Sequence, residues 1–312
     1  MSIPVFGREA VYATVSPQEA HAAVRDAFVA HHSGEWSMQP KIYVASYPAG
    51  DFRAMPALGG GHALLKWVTS FPGNPARGLP TVTGLVLLSN AETGQLEAVL
   101  DAASVTALRT AAAGVIAAET LARNGAATVA VVGCGVNGAE TVRSLVAHGR
   151  LPIVWDADPA RRELVATELD ARVAETLEEA LACDIVITVT PGRSVLFPFG
   201  SLRPGQHVSL MGADGPGKAE IAVEELARSR VFCDDWEQAS HGGELTPAVA
   251  AGTIARSSVT DLGAVLAGDA EGRRTDDEVT LFDSTGLAIQ DLAIARAAFM
   301  KSAQLDLPRV EL

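Results

Sequence analysis

Thr128-Val129-Ala130-Val131-Val132-Gly133-Cys134-Gly135-Val136-Asn137-Gly138 decides the fold. Its first five residues, mostly β-branched and apolar, predict a buried strand. Asn137 to His148 then predicts a helix, and Pro152-Ile153-Val154-Trp155 a second strand that ends at Asp156. The glycines spell G-x-G-x-x-G, a weak signal alone in a chain holding 29 glycines. Its context strengthens it: a strand precedes it, a helix follows, and a carboxylate stands 23 residues beyond Gly133. That is the layout of a dinucleotide-binding βαβ unit. The glycines permit a tight turn and close backbone approach, and the helix N-terminus offers N–H groups and a positive dipole end to a pyrophosphate. Asp156 would accept from a free ribose 2′-hydroxyl and repel a 2′-phosphate, favouring NAD over NADP. Arg161 and Arg162 work against that preference. The competing reading is a glycine turn in an unrelated α/β protein, with Asp156 as a helix N-cap.

Outward from this unit, Ser104 to Arg123 predicts an alanine-rich helix, and further strands are expected at Ile185 to Thr190, His207 to Met211 and near Val231-Phe232. Strands alternating with helices imply an α/β fold with a Rossmann-type, doubly wound parallel sheet. The first hundred residues read differently. Ser16-Pro17-Gln18-Glu19 is a capping box with proline at the first helical position, and it starts a helix ending near Ser33-Gly34. Strands follow at Ile42 to Ser46, Leu64 to Thr69 and Thr81 to Leu88, with a hairpin turn at Asn90 to Gly94. This segment predicts a mostly antiparallel or mixed sheet. The last helix, Leu287 to Ala303, is expected to return to it.

The 312 residues suffice for about two domains. At 48% hydrophobic and 20% charged the chain can fill sizeable cores, which excludes disorder and fibrous repeats. A net charge of −13 gives no footprint for nucleic acid and is repelled by anionic membranes. No apolar run approaches the length of a membrane span, and the start has no secretory signal pattern. Cys134, Cys183 and Cys233 are few, odd in number and without metal-like spacing, which fits a reducing cytosol; no metal is implied.

Only four of the 24 basic residues are lysines: Lys41, Lys66, Lys218 and Lys301. Lys66 lies in Leu64-Leu65-Lys66-Trp67-Val68, so it is either an edge residue reaching water or a buried cation that needs an anion. Arg109 stands among small helical residues, and Arg53 between Phe52 and Ala54-Met55-Pro56. Cations in apolar settings suggest a pocket for a small carboxylate, which arginine grips with paired hydrogen bonds. Asp214 follows a predicted parallel strand in Gly212-Ala213-Asp214-Gly215-Pro216-Gly217-Lys218. It is either an ordinary Asp-Gly turn or a carboxylate placed to move an amine's proton.

Together these residues resemble the ornithine cyclodeaminase/mu-crystallin family, and within it the archaeal-type alanine dehydrogenases. The likeness spans nearly the whole chain. Phe52-Arg53-Ala54-Met55-Pro56, Pro72-Gly73-Asn74-Pro75, Gly78-Leu79-Pro80-Thr81-Val82 and Leu108-Arg109-Thr110-Ala111-Ala112 carry it. So do the Gly212 to Lys218 segment, His241-Gly242-Gly243-Glu244, and Phe282-Asp283-Ser284-Thr285-Gly286 running on to Gln290-Asp291. The resemblance implies a homodimer of two-domain chains. Residues 1–113 with 288–312 would form an α+β substrate and dimerisation domain, and 114–287 the NAD domain. It places the substrate carboxylate on Lys66 and Arg109, with Lys41 and Arg53 beside them, and proton handling on Asp214 and Lys66. It implies that the dinucleotide is lined by Thr81, Arg109, Thr110, Gly133, Gly135, Val136, Asn137, Gly138, Asp156, Thr190, Met211, Gly212, Lys218 and Ser284. The implied reaction is oxidative deamination of a small L-amino acid, alanine first; the alternatives are cyclodeamination of ornithine, and reduction of a ketimine or non-catalytic binding of the mu-crystallin kind. Arg53 departs from the cyclodeaminases, which carry an acid there. A cation would repel a protonated ornithine side chain by about 1–4 kcal/mol at 4 Å.

Overall fold

The computed structural model describes residues 2–215 and 217–311; Pro216, in the Gly212 to Lys218 segment, lies outside them. The chain divides into two compact units, Met1–Arg109 with Leu287–Leu312, and Thr110–Gly286. No helix among the described residues is long and apolar enough to cross a membrane.

The Thr110–Gly286 unit is built on one parallel sheet of eight strands. In spatial order they are Arg172–Val173, Ile153–Trp155, Val129–Val132, Ile185–Thr188, His207–Leu210, Thr280–Asp283, Arg230–Cys233 and Val259–Asp261. The four central strands are buried throughout, the doubly covered state that the apolar Val129–Val132 and Ile185–Thr188 predict. The polar His207, Ser209 and Thr280 are buried by hydrogen-bonding to one another. From Val129–Val132 the chain steps outward to Arg172–Val173, then crosses back to Ile185–Thr188 and proceeds the other way. The reversal lies between Val129–Val132 and Ile185–Thr188, and ligands of such sheets bind beyond the strand carboxyl ends at that point. Three strands escape the sequence reading: Arg172–Val173, Val259–Asp261 and the central Thr280–Asp283. Each is two to four residues long, too short for a periodic signal.

In the unit formed by Met1–Arg109 and Leu287–Leu312, eight strands make a mixed sheet. The path runs Arg309–Glu311, Ser2–Phe6, Leu96–Asp101, Val82–Asn90, His62–Ser70, Gly50–Gly59 and Ser37–Met38, with Ile42–Ser46 also pairing to Gly50–Gly59. Lys66 is therefore on an interior strand. Met55 lies opposite it on one side and Val86 on the other. Two-residue alternation then puts Asp51, Arg53, Met55, Leu64, Lys66, Val68, Val86 and Leu88 on a single face, and all eight are buried. The helix Ala288–Phe299 packs on that sheet and on the helix Pro17–His32. It is four residues shorter at its C-terminal end than the sequence suggests, and Met300 beyond it is exposed. Pro17–His32 has the predicted box: Ser16 Oγ accepts from the Glu19 N–H, and Glu19 accepts from the Ser16 N–H. The opposite sheet face stays apolar and exposed at Leu58, Leu65, Trp67 and Leu85, with Trp67 opposite Leu85 and stacked on Phe52.

One buried carboxylate organises the loops that leave the parallel sheet. Glu220 accepts from Thr188 Oγ1 at 2.5 Å, from Thr190 Oγ1, and from the Gly212 N–H at 3.1 Å. It therefore ties the ends of two neighbouring strands to the far end of the segment carrying Asp214 and Lys218. Its own N–H donates to both oxygens of Glu244, at 2.8 and 2.9 Å. Burial, with Asp283 and Glu220 nearby, pushes the Glu244 carboxyl up to about 9. The folded chain thus holds a proton that the unfolded chain releases above its ordinary value of 4.5, so this group costs stability as pH rises from there toward 9. Glu244→Gln removes that dependence. Relative to the parent protein its melting temperature should gain several degrees between pH 5 and pH 9 in scanning calorimetry; parallel curves would show that Glu244 is ionised in the fold.

Candidate active site

The site residues are described unit by unit, beginning with the cations. Lys66 is 1% exposed, and its Nζ donates to Asp291 Oδ1 at 2.9 Å. Arg109, on the helix Ala102–Leu121, brings its Nε to 3.4 Å from the same oxygen. Arg53, diagonal to Lys66 across the strand pair, donates from Nε to Asp51 Oδ1 at 2.6 Å and from Nη2 to Asp51 Oδ2 at 3.3 Å. Its guanidinium also lies 5.3 Å from the Tyr43 ring centroid, within cation–π range. The edge-residue reading of Lys66 fails, because both neighbouring strands cover it.

Desolvation pulls the Lys66 ammonium down from 10.5 to about 8. Asp291 opposes the fall, while Arg109 and Arg53 add to it. A lysine so placed can give or take a proton near neutral pH. Arg53 is hydrogen-bonded to Asp51 and Lys66 to Asp291, while Arg109 faces Asp291 at ion-pair distance, so cations outnumber carboxylates in this group while Lys66 is protonated. Lys41 is half-buried ahead of the exposed Ile42–Ser46 strand, and Thr81 is half-buried at the start of Val82–Asn90.

In the Thr110–Gly286 unit the glycine loop has the geometry its sequence demands. Gly133 has φ +106°, a value side chains resist, and a Cβ on Gly138 would lie 1.8 Å from the Gly133 oxygen. A Cβ on Gly135, the N-cap of the helix Val136–Ala147, would meet nothing within 4 Å. Glycine at 133 and 138 thus follows from the loop's own packing. At 135 it leaves open space against the helix N-terminus, where a phosphate fits. Asp156 accepts the Cys134 N–H at 2.7 Å and the Asp158 N–H at 2.8 Å. The N-cap of the next helix is Asp158, which accepts from Ala160, so the N-cap reading of Asp156 fails.

Gly133 abuts Val189 and Thr190, and Gly192 abuts Gly212 and the Lys218 side chain, so these loops stack at the strand carboxyl ends. Asp214 pairs with Lys218 across four residues, and both are partly exposed. Val136 is exposed and Asn137 half-buried beside the loop. Met211 and Thr110 are buried, the Thr110 hydroxyl without a hydrogen-bond partner. Ser284 is buried and donates to Asp234. The sequence reading gave no role to the acids Asp51, Asp291, Glu220 and Glu244, although Glu244 and Asp291 stand in motifs that carry the resemblance. A signal existed for two of them: Asp51 shares a strand face with Arg53 at spacing two, and Asp291 is the one acid in a largely apolar helix.

The chain is 41% identical over 306 residues to an alanine dehydrogenase of Archaeoglobus fulgidus, with 96% of this chain and 95% of that protein aligned. Among solved structures it resembles an archaeal alanine dehydrogenase dimer with bound NAD, at a TM-score of 0.94 and 38% identity over the whole of both chains. It also resembles the iminosuccinate reductase of Paracoccus denitrificans in complex with NAD+, at a TM-score of 0.90 and 29% identity, again over the full lengths. Residues 5–304 match the ornithine cyclodeaminase/mu-crystallin family, and the chain belongs to that family.

Proposed function

We propose that the protein is an NAD-dependent amino-acid dehydrogenase that converts a small L-amino acid, L-alanine first, to its 2-oxo acid and ammonia. The observation that carries this reading is the buried, positively charged group of Arg53, Lys66 and Arg109, in which Lys66 and Arg109 converge on the one carboxylate of Asp291. A substrate carboxylate satisfies such a group, and a diamine brings a further cation to it.

The open space at Gly135, the helix N-terminus of Val136–Ala147 and Asp156 fit the pyrophosphate and adenosine ribose of NAD. When bound, the nicotinamide supplies a hydride acceptor. Lys66 and Arg109, with Arg53 and Lys41, hold the amino acid's carboxylate and fix its Cα. Asp214 takes and returns protons at the amino nitrogen, and Lys66 shares that work from its proton-poised state. Loss of hydride from Cα gives an imino acid; water adds to it, ammonia leaves, and pyruvate remains.

With L-alanine and NAD, absorbance at the NADH band should rise. Proline formed from L-ornithine without net NADH would make the protein a cyclodeaminase instead. Asp214→Asn should lower kcat about 100-fold or more while NADH affinity, read by fluorescence, stays near that of the parent. Full turnover would remove Asp214 from the chemistry.

The pH profile has a fixed sign. Lys66 loses its proton as pH passes about 8, and the substrate amine must also be neutral, so kcat/KM for alanine oxidation should climb from pH 7 to pH 9. A flat profile excludes Lys66 as the base.

The exposed apolar sheet face fits a second copy of this chain, in keeping with the dimeric relative. Trp67→Glu with Leu85→Glu should reduce the mass measured by light scattering from a dimer's to the 32.4 kDa of one chain. An unchanged mass would put the interface elsewhere.

A further inference from the structure

We propose that Asp291 is a positioning residue for Lys66: its carboxylate aims the amine, sets how readily the proton leaves, and draws Arg109 to the same point. The proposal rests on the dehydrogenase reading above and assigns a role in it to a residue that neither touches substrate nor stands near the glycine loop in sequence.

The geometry carries it. Asp291 is fully buried in the first turn of Ala288–Phe299, and it reaches Lys66 across 225 residues of sequence. The positive end of that helix favours a carboxylate there. Asp291 Oδ1 receives the Lys66 Nζ at 2.9 Å and faces Arg109 Nε at 3.4 Å. Asp291 Oδ2 and Arg109 Nε are both buried without a hydrogen-bond partner. A bridge serving stability alone would satisfy these atoms, and an apolar trio of similar volume would hold the sheet and helix together at least as well. Two cations converging on one half-used carboxylate make a poor strut, but they keep a lysine both fixed and labile.

The charged groups around Lys66 on its own and neighbouring elements are Arg53 with Asp51, Arg109 and Asp291; His62, with Glu97 and Arg296 against it, lies four residues along the same strand. The adjacent strand presents only Val86 opposite Lys66. Removing the Asp291 charge leaves burial and two arginines acting in one direction, so Lys66 should lose its proton at lower pH.

The chain's four lysines make this directly visible. Protein labelled with 13C at lysine Cε gives four side-chain resonances, and Lys66→Met identifies the one from Lys66. In Asp291→Asn the Lys66 titration midpoint should fall by about one pH unit or more, with the other three resonances unmoved. The rising limb of kcat/KM for L-alanine should move down in pH by the same amount. An unmoved midpoint overturns the proposal. If the midpoint moves while neither protein forms NADH from alanine, the Asp291 assignment stands and the alanine reading fails. Should Asp291→Asn not fold, Asp291→Glu carries the test. It keeps the charge and displaces it, so the midpoint should stay near the parent's while kcat falls at unchanged NADH affinity. Parental kcat in that variant would end the positioning role.

Discussion

Burying Arg53 and Lys66 on one face of a sheet, with Arg109 of the helix Ala102–Leu121 brought to the same carboxylate as Lys66, is the constraint from which the N-terminal unit follows. Each cation loses its hydration, and no apolar contact repays that loss. Carboxylates must therefore be brought to them. One comes from the same strand, where Asp51 lies two residues before Arg53 and on the same face. The other comes from the far end of the chain, in the first turn of Ala288–Phe299. That helix packs its almost wholly buried first half on the sheet, so the apolar contacts and the ion pair select the same arrangement. The C-terminal segment is thus part of the cation site as well as of the core.

The other unit solves a different problem, that of presenting backbone instead of side chains. A helix N-terminus attracts phosphate only if the loop before it lets the ligand close. Gly133 and Gly138 let the loop fold tightly on itself, Gly135 leaves the space open, and Asp156 pins the loop through the Cys134 N–H. Glu220 does comparable work on the next loops. By accepting from Thr188, Thr190 and Gly212 it fixes both ends of the segment that carries Asp214 and Lys218. Burial pushes both the Glu220 and Glu244 carboxyls up, which limits how much negative charge that buried spot holds.

Much of this was legible in the sequence because its signals are local. The Val129–Val132 strand, the glycine loop and the Asp156 spacing occupy fewer than thirty residues. The Ser16 capping box is likewise complete within four. What escaped depends on distant residues. Thr280–Asp283 lies between His207–Leu210 and Arg230–Cys233 although it follows both in sequence, and its four residues show no period. Arg309–Glu311 forms a strand only because Ser2–Phe6 offers it an edge. Lys66 was visible as an anomaly, an ammonium in an apolar strand, but its answer stood 225 residues away. An unexplained cation in a sequence therefore predicts an unexplained acid, and Asp291 is the one acid in the largely apolar helix Ala288–Phe299 at the other end of the chain.

Arg53 shows how such pairing alters a specificity argument. Read as a bare cation, it alone would reject the distal ammonium of ornithine by about 1–4 kcal/mol at 4 Å. Bonded through two nitrogens to Asp51, it acts at a distance more as a dipole than as a charge, and a dipole's field falls faster. Part of the discrimination must then lie elsewhere. The surplus positive charge belongs to the whole group of Arg53, Lys66 and Arg109 and exists only while Lys66 keeps its proton. A substrate carboxylate satisfies that surplus. A second ammonium entering the same space raises it again and, by the same electrostatics, pushes Lys66 further toward its neutral form. On the proposed reading, preference for a monoamino acid and the protonation of Lys66 would therefore be coupled, since both would be set by how much negative charge Asp51 and Asp291 supply.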